Sequence, residues 1–477
     1  MIVYFRLSSS MFVKAHRYFS QVSNKQRLNS EVTLKIILAL LAHQATLSYN
    51  SLMLTNHLRT HTLENGLTIL LKETHVAPVA SFWLWYRVGS RNELPGLSGV
   101  SHWVEHMLFK GTTRHPQGDF DRLIQREGGH FNGMTWIDWT TFYATLPAER
   151  IGLALEIEAD RMQNSLFDPD ETESERTVII SEREGSENQP GYRLREQMQA
   201  ASFLAHPYGH MVIGWKEDLR RITRDELYAH YRTFYTPNNA VAVIVGDFQT
   251  DAMLQQIEEA FGSIPRGPEP PRVTVVEPPA QAQRRVTLHG PGGVHHLSMT
   301  YRVPPAHHPD FFPLTVLNAV LDGATGLPPF GGGDLGRAAR LYRALVNTGQ
   351  ALGTNASIAA TIDSYLFSIS ATASQQDDRD HIENIILQEL DRLKQELVGP
   401  EELARAIKGT RAMFAYGSES ITNQAMWLGL ASMVADTNWL ADFLQNIAKV
   451  TPEDIQRVAR HYFTPENSVI GWYVSDA

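Results

Sequence analysis

Ile222-Thr223-Arg224-Asp225-Glu226-Leu227, followed by Phe234-Tyr235-Thr236-Pro237-Asn238-Asn239 and the apolar run Ala240–Val245, has a counterpart near the end of the same chain. That counterpart is Val450-Thr451-Pro452-Glu453-Asp454-Ile455, then Tyr462-Phe463-Thr464-Pro465-Glu466-Asn467, then Ser468–Val474. A single offset of 228 residues carries Thr223 onto Thr451 and Thr236 onto Thr464 without a gap. Each block reads as a threonine-capped helix, a Thr-Pro turn and a closing strand. One Thr-Pro arises easily by chance, but the whole arrangement does not, so the chain is read as a duplicated α+β half.

Between the two blocks, Pro265, Pro268, Pro270, Pro271, Pro278 and Pro279 crowd into one segment. Such a cluster continues neither a helix nor a central strand and reads as a linker. The expected division is therefore residues 58–263, a linker at 264–284, and residues 285–477, with 1–57 as an extension outside the fold. The expected fold class is α+β, two homologous halves that are each an antiparallel sheet packed with helices. At the start of the first half, Thr60–Leu63 and Leu67–Leu71 flank Glu64-Asn65-Gly66, a strong hairpin signal. Val79–Val88 is rich in aromatic and β-branched residues and predicts a strand in mid-sheet.

Composition narrows the chemistry. The 477 residues are 43% hydrophobic and 20% charged, which gives a globular chain with ample core. No apolar run approaches the ~20 residues of a membrane span. The absence of cysteine excludes disulfides, thiolate zinc sites and thiol nucleophiles. A net charge of −10 disfavours a nucleic-acid binder. Residues 1–30 contain no Asp or Glu but carry Arg6, Lys14, Arg17, Lys25 and Arg27, as a transit peptide does. The favoured alternative is an overextended gene start, with Met53 just ahead of the first strand. A secretory signal is the third reading, although the apolar run Ile36–Ala42 is short and lies far in. The location expected is the cytoplasm, or an organelle or export if residues 1–50 are a targeting segment.

A helix is expected over Leu97–Phe109, and on it lies His102-Trp103-Val104-Glu105-His106. Positions i, i+3 and i+4 share one helix face, so both imidazoles and the carboxylate aim at one spot. Two neutral histidines can hold Zn²⁺, and a carboxylate beside an open coordination position can take a proton from water. The bland alternative is a chance polar face, but the rest of this helix is apolar and leaves these groups needing a partner. The best third ligand lies between Asp168 and Glu184. Asp168-Pro169 reads as a cap and first turn, and Asp170, Glu171 and Glu173 suit the positive helix start. Glu175, Val178, Ile179 and Glu182 then share one face, read as an acidic pair on a buried surface. Glu182 is the candidate ligand and Glu175 a group supporting it.

These residues resemble the inverted-zinc-motif peptidases of the pitrilysin (M16) family. Glu182 follows His106 by 76 residues, and Met107-Leu108-Phe109-Lys110-Gly111-Thr112 continues the motif as in that family. Gly128-Gly129-His130-Phe131-Asn132-Gly133-Met134-Thr135 and Glu175-Arg176-Thr177-Val178-Ile179-Ile180-Ser181-Glu182 resemble two further family segments. The resemblance spans about 58–477 and is closest to the short two-domain branch that includes mitochondrial processing peptidases and their bacterial relatives. It implies that His102, His106 and Glu182 ligate zinc, that Glu105 is the general base, and that Glu175 orients a ligand. It also implies that the strand with Phe131, Asn132 and Gly133 pairs with an extended peptide through its backbone.

One departure stands out. Where family members that act alone carry an Arg and a Tyr reaching the substrate, Arg340–Gly353 offers Val346 and Gly353. Neither side chain can donate a hydrogen bond to a developing oxyanion. Arg340 or Arg343 is a possible substitute. The expectation is a partner: a related subunit with the Arg/Tyr pair, or a second copy, closing a dimeric clamshell. Gly331-Gly332-Gly333-Asp334 lacks the Lys-Ser/Thr of a phosphate loop, so nucleotide binding is not expected. His295-His296 and His307-His308 are assigned to no site, because neighbours in a strand face opposite ways. The function expected is a zinc endopeptidase acting on extended peptides. Its rival is a non-catalytic assembly subunit that kept the fold, which has no need to retain all four site residues.

Overall fold

A computed structural model describes residues 54–324, 326 and 336–476. The extension up to Met53 and the Gly331–Asp334 segment lie outside the described residues. The first sheet is built from β1 (Leu58–Thr62), β2 (Thr68–Glu73), β3 (Val79–Tyr86), β4 (His130–Thr135), β5 (Thr140–Pro147) and β6 (Ala240–Gly246). The second comprises β7 (Arg284–Pro291), β8 (Val294–Val303), β9 (Gly353–Ile358), β10 (Tyr365–Ser374) and β11 (Ser468–Asp476). Helices α1 (Val100–Met107), α2 (Asp119–Arg126), α3 (Ile151–Asn164), α4 (Pro169–Glu187), α5 (Pro190–Ser202), α6 (Lys216–Leu219), α7 (Arg224–Phe234) and α8 (Thr250–Phe261) come before the proline-rich segment. After it come α9 (Phe311–Asp322), α10 (Arg379–Gln395), α11 (Pro400–Tyr416), α12 (Ile421–Val434), α13 (Thr437–Lys449) and α14 (Pro452–Tyr462).

The strand orders are β1-β2-β6-β3-β5-β4 and β7-β11-β8-β10-β9, so the second sheet repeats the first without β1. The sequence blocks that announced the repeat occupy matching places. Thr223 caps α7 in a capping box with Glu226, and Thr451 caps α14 in a box with Asp454. Each helix hands over to the strand three places in from the β4 or β9 edge of its sheet. Both sheets depart from the expected wholly antiparallel order at one point, because β6 lies parallel to β2 and β11 parallel to β7. A hairpin forces antiparallel pairing, whereas β6 and β11 each return after a long helical excursion and can enter in either sense.

Asn65-Gly66 turns β1 into β2, and the Asn65 amide is anchored on the carbonyls of Phe261 and Ile264. β3 runs mid-sheet between β6 and β5. Its alternation feeds two cores: Phe82, Leu84 and Tyr86 pack with α1 and its neighbours, and Trp83 and Trp85 face the other way. Full burial of such side chains contributes about 1.5–3 kcal/mol each.

The two halves exchange helices. α5 precedes the linker in sequence yet packs on β7, β8 and β11, whereas α12 lies in the second half and packs on β3 and β6. Gly429 of α12 lets the helix sit on Trp85, where a Cβ would overlap the indole. Between the halves, residues 265–283 form neither helix nor strand. Among the described residues no helix is long and apolar enough to cross a membrane.

Candidate metal centre and active site

Helix α1 is shorter than the Leu97–Phe109 expected, because Gly99 adopts φ 90° and starts it at Val100. Its first turn is capped from a distance. Buried Glu93 accepts hydrogen bonds from Gly99 N (2.8 Å), Ser101 N (2.9 Å) and His210 Nε2 (2.8 Å). A carboxylate there satisfies free amides and complements the helix dipole. Trp103, Val104 and Met107 anchor the other side of α1 in the core, fully buried. Arg176 of α4 lies 4.6 Å from the Trp103 ring and ties the two helices together.

With α1 held so, His102 Nε2 and His106 Nε2 stand 3.3 Å apart. Glu182 Oε2 on α4 lies 4.0 Å from the first and 3.8 Å from the second. Tetrahedral zinc with bonds near 2.0–2.1 Å separates its ligand atoms by about 3.3 Å. Two imidazoles and one carboxylate at these spacings fit that ion and leave a fourth position. Glu182 is 49% exposed, so the cluster opens to solvent. Burial, helped by the nearby His106, lowers the His102 pKa to about 3, so its imidazole is neutral, as a ligand must be.

Glu175 supports the cluster. Its Oε1 accepts from His106 Nδ1 at 2.8 Å, which directs the His106 Nε2 lone pair at the cluster, and Lys110 pairs with its other oxygen. Burial works to raise the Glu175 pKa, but the bonds from His106 and Lys110 outweigh it, and the net shift is downward. In His106 burial opposes protonation, and Glu175 and the other carboxylates prevail, for a net upward shift. The acidic face is not buried throughout: Glu175 and Ile179 are buried, but Val178 is 48% and the Glu182 side chain 49% exposed.

Glu105 is 8% exposed and accepts from the Thr135 hydroxyl at 2.6 Å. Burial raises its pKa, against the pull of Thr135 and His106. Thr135 ends β4, the edge strand of the first sheet, which pairs with β5 alone among the described strands. Phe131 turns inward, toward Phe109 and the buried Arg161, so only its backbone faces the edge. Asn132 is exposed, its Oδ1 on Gly133 N at 2.9 Å. Sequence reasoning gave no role to Glu93, Lys110 or Thr135. The strand period places Thr135 on the face of Phe131 and Gly133, and the short step from His106 to Lys110 was a usable signal. Glu93 had none.

In the second half, Arg340 is held by Glu402 through two hydrogen bonds of 2.9 and 2.7 Å. Arg343 is 56% exposed and 3.9 Å from the same carboxylate. Val346 ends a π-helical turn, Tyr342–Val346, and Gly353 begins β9. The histidine pairs serve the fold: His295 Nδ1 accepts from Ser475 N, and His308 Nδ1 from Asp310 N.

Duplicated sheets, exchanged helices and a His/His/Glu cluster at a sheet edge are the build of a two-domain peptidase scaffold. The family model described as "Insulinase (Peptidase family M16)" matches residues 68–215, and "Peptidase M16 inactive domain" matches 221–410. The chain belongs to the M16 family, in its short two-domain branch. Zinc protease PqqE of Helicobacter pylori is 27% identical over 420 residues, covering 85% of this chain and 90% of that protein. The probable mitochondrial-processing peptidase subunit beta of Arabidopsis thaliana is 30% identical over 238 residues, 50% of this chain and 45% of that one. An uncharacterized zinc protease of Bacillus subtilis is 28% identical over 268 residues, which span 64% of its length. These last two matches thus cover under two thirds of each relative. The crystal structure of a protease from Helicobacter pylori superposes with a TM-score of 0.82 at 25% identity, over 87% of this chain and 99% of that one. Relatives named as zinc proteases support a peptidase-type function.

Proposed function

We propose that the chain is a zinc-dependent endopeptidase acting on extended peptides, with His102, His106 and Glu182 as ligands and Glu105 as general base. The observation that carries this is the 3.3–4.0 Å spacing of three ligand atoms beside a buried carboxylate. Zinc, when bound, supplies Lewis acidity that makes a water nucleophilic near neutral pH. Glu105 takes the proton of the attacking water; as the peptide C–N bond breaks, it returns that proton to the leaving amine. Its raised pKa suits both transfers, and the Thr135 hydroxyl fixes the carboxylate's rotation. The open edge of β4 receives the peptide as an added strand, and Asn132 lies exposed along it.

Among the described residues of the second half, Arg340 is committed to Glu402, and Val346 and Gly353 carry no side-chain donor. The reading therefore includes a partner, a related subunit or a second copy, that supplies the donors. The test is hydrolysis of an unstructured peptide library by the zinc-loaded chain, alone and with a relative bearing the Arg/Tyr pair, against Glu105→Gln. Cleavage by the wild type, lowered about 10²–10⁴-fold in a variant that keeps its zinc, is expected. A chain that binds no zinc, or a variant as fast as the wild type, overturns the reading.

A further inference from the structure

The β4–β5 hairpin turns through Trp136-Ile137-Asp138-Trp139, closed by Trp136 N to Trp139 O at 2.8 Å. This turn is bonded on two sides. Toward α1, Ser90 N and Arg91 N donate to the carbonyls of Trp136 and Ile137 at 3.3 and 2.8 Å. Toward the second half, Asp138 Oδ2 accepts from Ile362 N at 2.9 Å, while its Oδ1 accepts from the Tyr208 hydroxyl at 2.5 Å. Beside it, Asp363 binds Arg91 Nε at 2.6 Å and lies 3.2 Å from His206 Nε2. Ile137, Phe203, Tyr208 and Leu366 close over the junction as a core of their own, apart from the two large ones.

A carboxylate is an expensive choice here. Asp138 is 2% exposed, and Arg91 comes no nearer than 3.9 Å. Burial pushes its pKa up to about 6, despite the bonds from Tyr208 and Ile362. An apolar side chain of similar size would fill the space without desolvating a charge. The group that remains bridges the two halves three residues beyond Thr135, which itself holds Glu105.

We propose that Asp138 is a positioning residue: through it the second half holds the β4–β5 hairpin, and with it the peptide-pairing edge and the Thr135 hydroxyl, in register with α1. The catalytic consequence rests on the peptidase reading; the mechanical one does not. The experiment is amide hydrogen exchange on the zinc-loaded full chain, comparing wild type, Asp138→Ala, Asp138→Asn and Tyr208→Phe. Loss of both buried bonds in Asp138→Ala should speed exchange over 130–135 about tenfold, with β6 and β11 unchanged. Asparagine keeps an acceptor for Ile362 N–H and should restore most of the protection. Tyr208→Phe removes one of the two bonds to Asp138, together with the longer 3.3 Å bond from Asp363 N to the Tyr208 hydroxyl; it should fall between, and it stands in if the alanine variant does not fold. Zinc content should hold while kcat/KM falls in parallel with the loss of protection and recovers with asparagine. Unchanged exchange in β4, or equal acceleration in every strand, overturns the proposal. Selective loosening of β4 in a chain whose wild type cleaves nothing supports the positioning role of Asp138 and removes only the peptidase reading.

Discussion

The two halves share a sheet order and differ in what lies against it. α1 contacts α4, α7 and β4, and α9 contacts α11, α14 and β9, so the two helices occupy equivalent places. α1 carries His102, Glu105 and His106, whereas all twelve residues of α9 are buried and none is His or Glu. The supporting helices diverge in the same way. Pro169 and Pro400 open α4 and α11; at the steps that bring Glu175 and Glu182 after the first, Ala406 and Met413 follow the second. The second half has packing where the first has a charged cluster, and an apolar side chain is buried without desolvating a charge. The duplicated scaffold is thus indifferent to chemistry, which on the proposed reading one helix pair supplies.

The sharpest break of this comparison substitutes one residue in each helix. His106→Ala should abolish stoichiometric zinc binding, read by metal analysis after dialysis, because two remaining ligands do not hold the ion. Its thermal unfolding without metal should change little, since His106 is partly exposed. Leu317→Ala in α9, fully buried, should lower stability by about 2–5 kcal/mol while zinc per folded chain stays the same. Zinc retained in the first variant, or lost from folded protein in the second, would erase the division of labour.

A smaller effect is expected at Glu175. Glu175→Gln keeps the shape but weakens the acceptor that orients His106, and it leaves Lys110 only the more distant Glu171, at 3.8 Å, as a counter-charge. Zinc affinity, measured by competition with a chromophoric chelator, should fall about 10–100-fold with the ligand set intact. Unchanged affinity would reduce Glu175 to a helix contact, as Ala406 is in the other half.

What the sequence revealed and what it hid divide by distance along the chain. The capping boxes at Thr223 and Thr451, the Asn65-Gly66 hairpin and the His102–His106 face are local patterns, written within a few residues. The mid-sheet place of Val79–Tyr86 followed from its aromatic and β-branched content. The helix exchange of α5 and α12 left no such trace, because an apolar helix surface says that it must be covered and not by what. The bond from Ile362 N to Asp138 spans 224 residues, and Glu93 caps α1 from outside it. The half-exposed Val178 shows the same limit, since a helical face marks the residues that align without showing how wide the neighbour is.

The smallest effect belongs to Arg340, whose charge stands near the position where a substrate donor was sought. Its guanidinium is spent on Glu402, and that bond raises its pKa further, ahead of the opposing burial. Releasing it toward a substrate would leave the largely buried Glu402 carboxylate only the more distant Arg343, at 3.9 Å, and no hydrogen bond from Arg340. Arg340→Gln should therefore change kcat/KM less than about twofold while costing about 1 kcal/mol of stability, at the upper end for a partly exposed pair. A loss of tenfold or more in kcat, with KM and zinc unchanged, would show the second half reaching the reaction with a charge of its own. The two halves would then differ in the kind of chemistry they contribute, and the need for a donor from a partner would fall with the comparison.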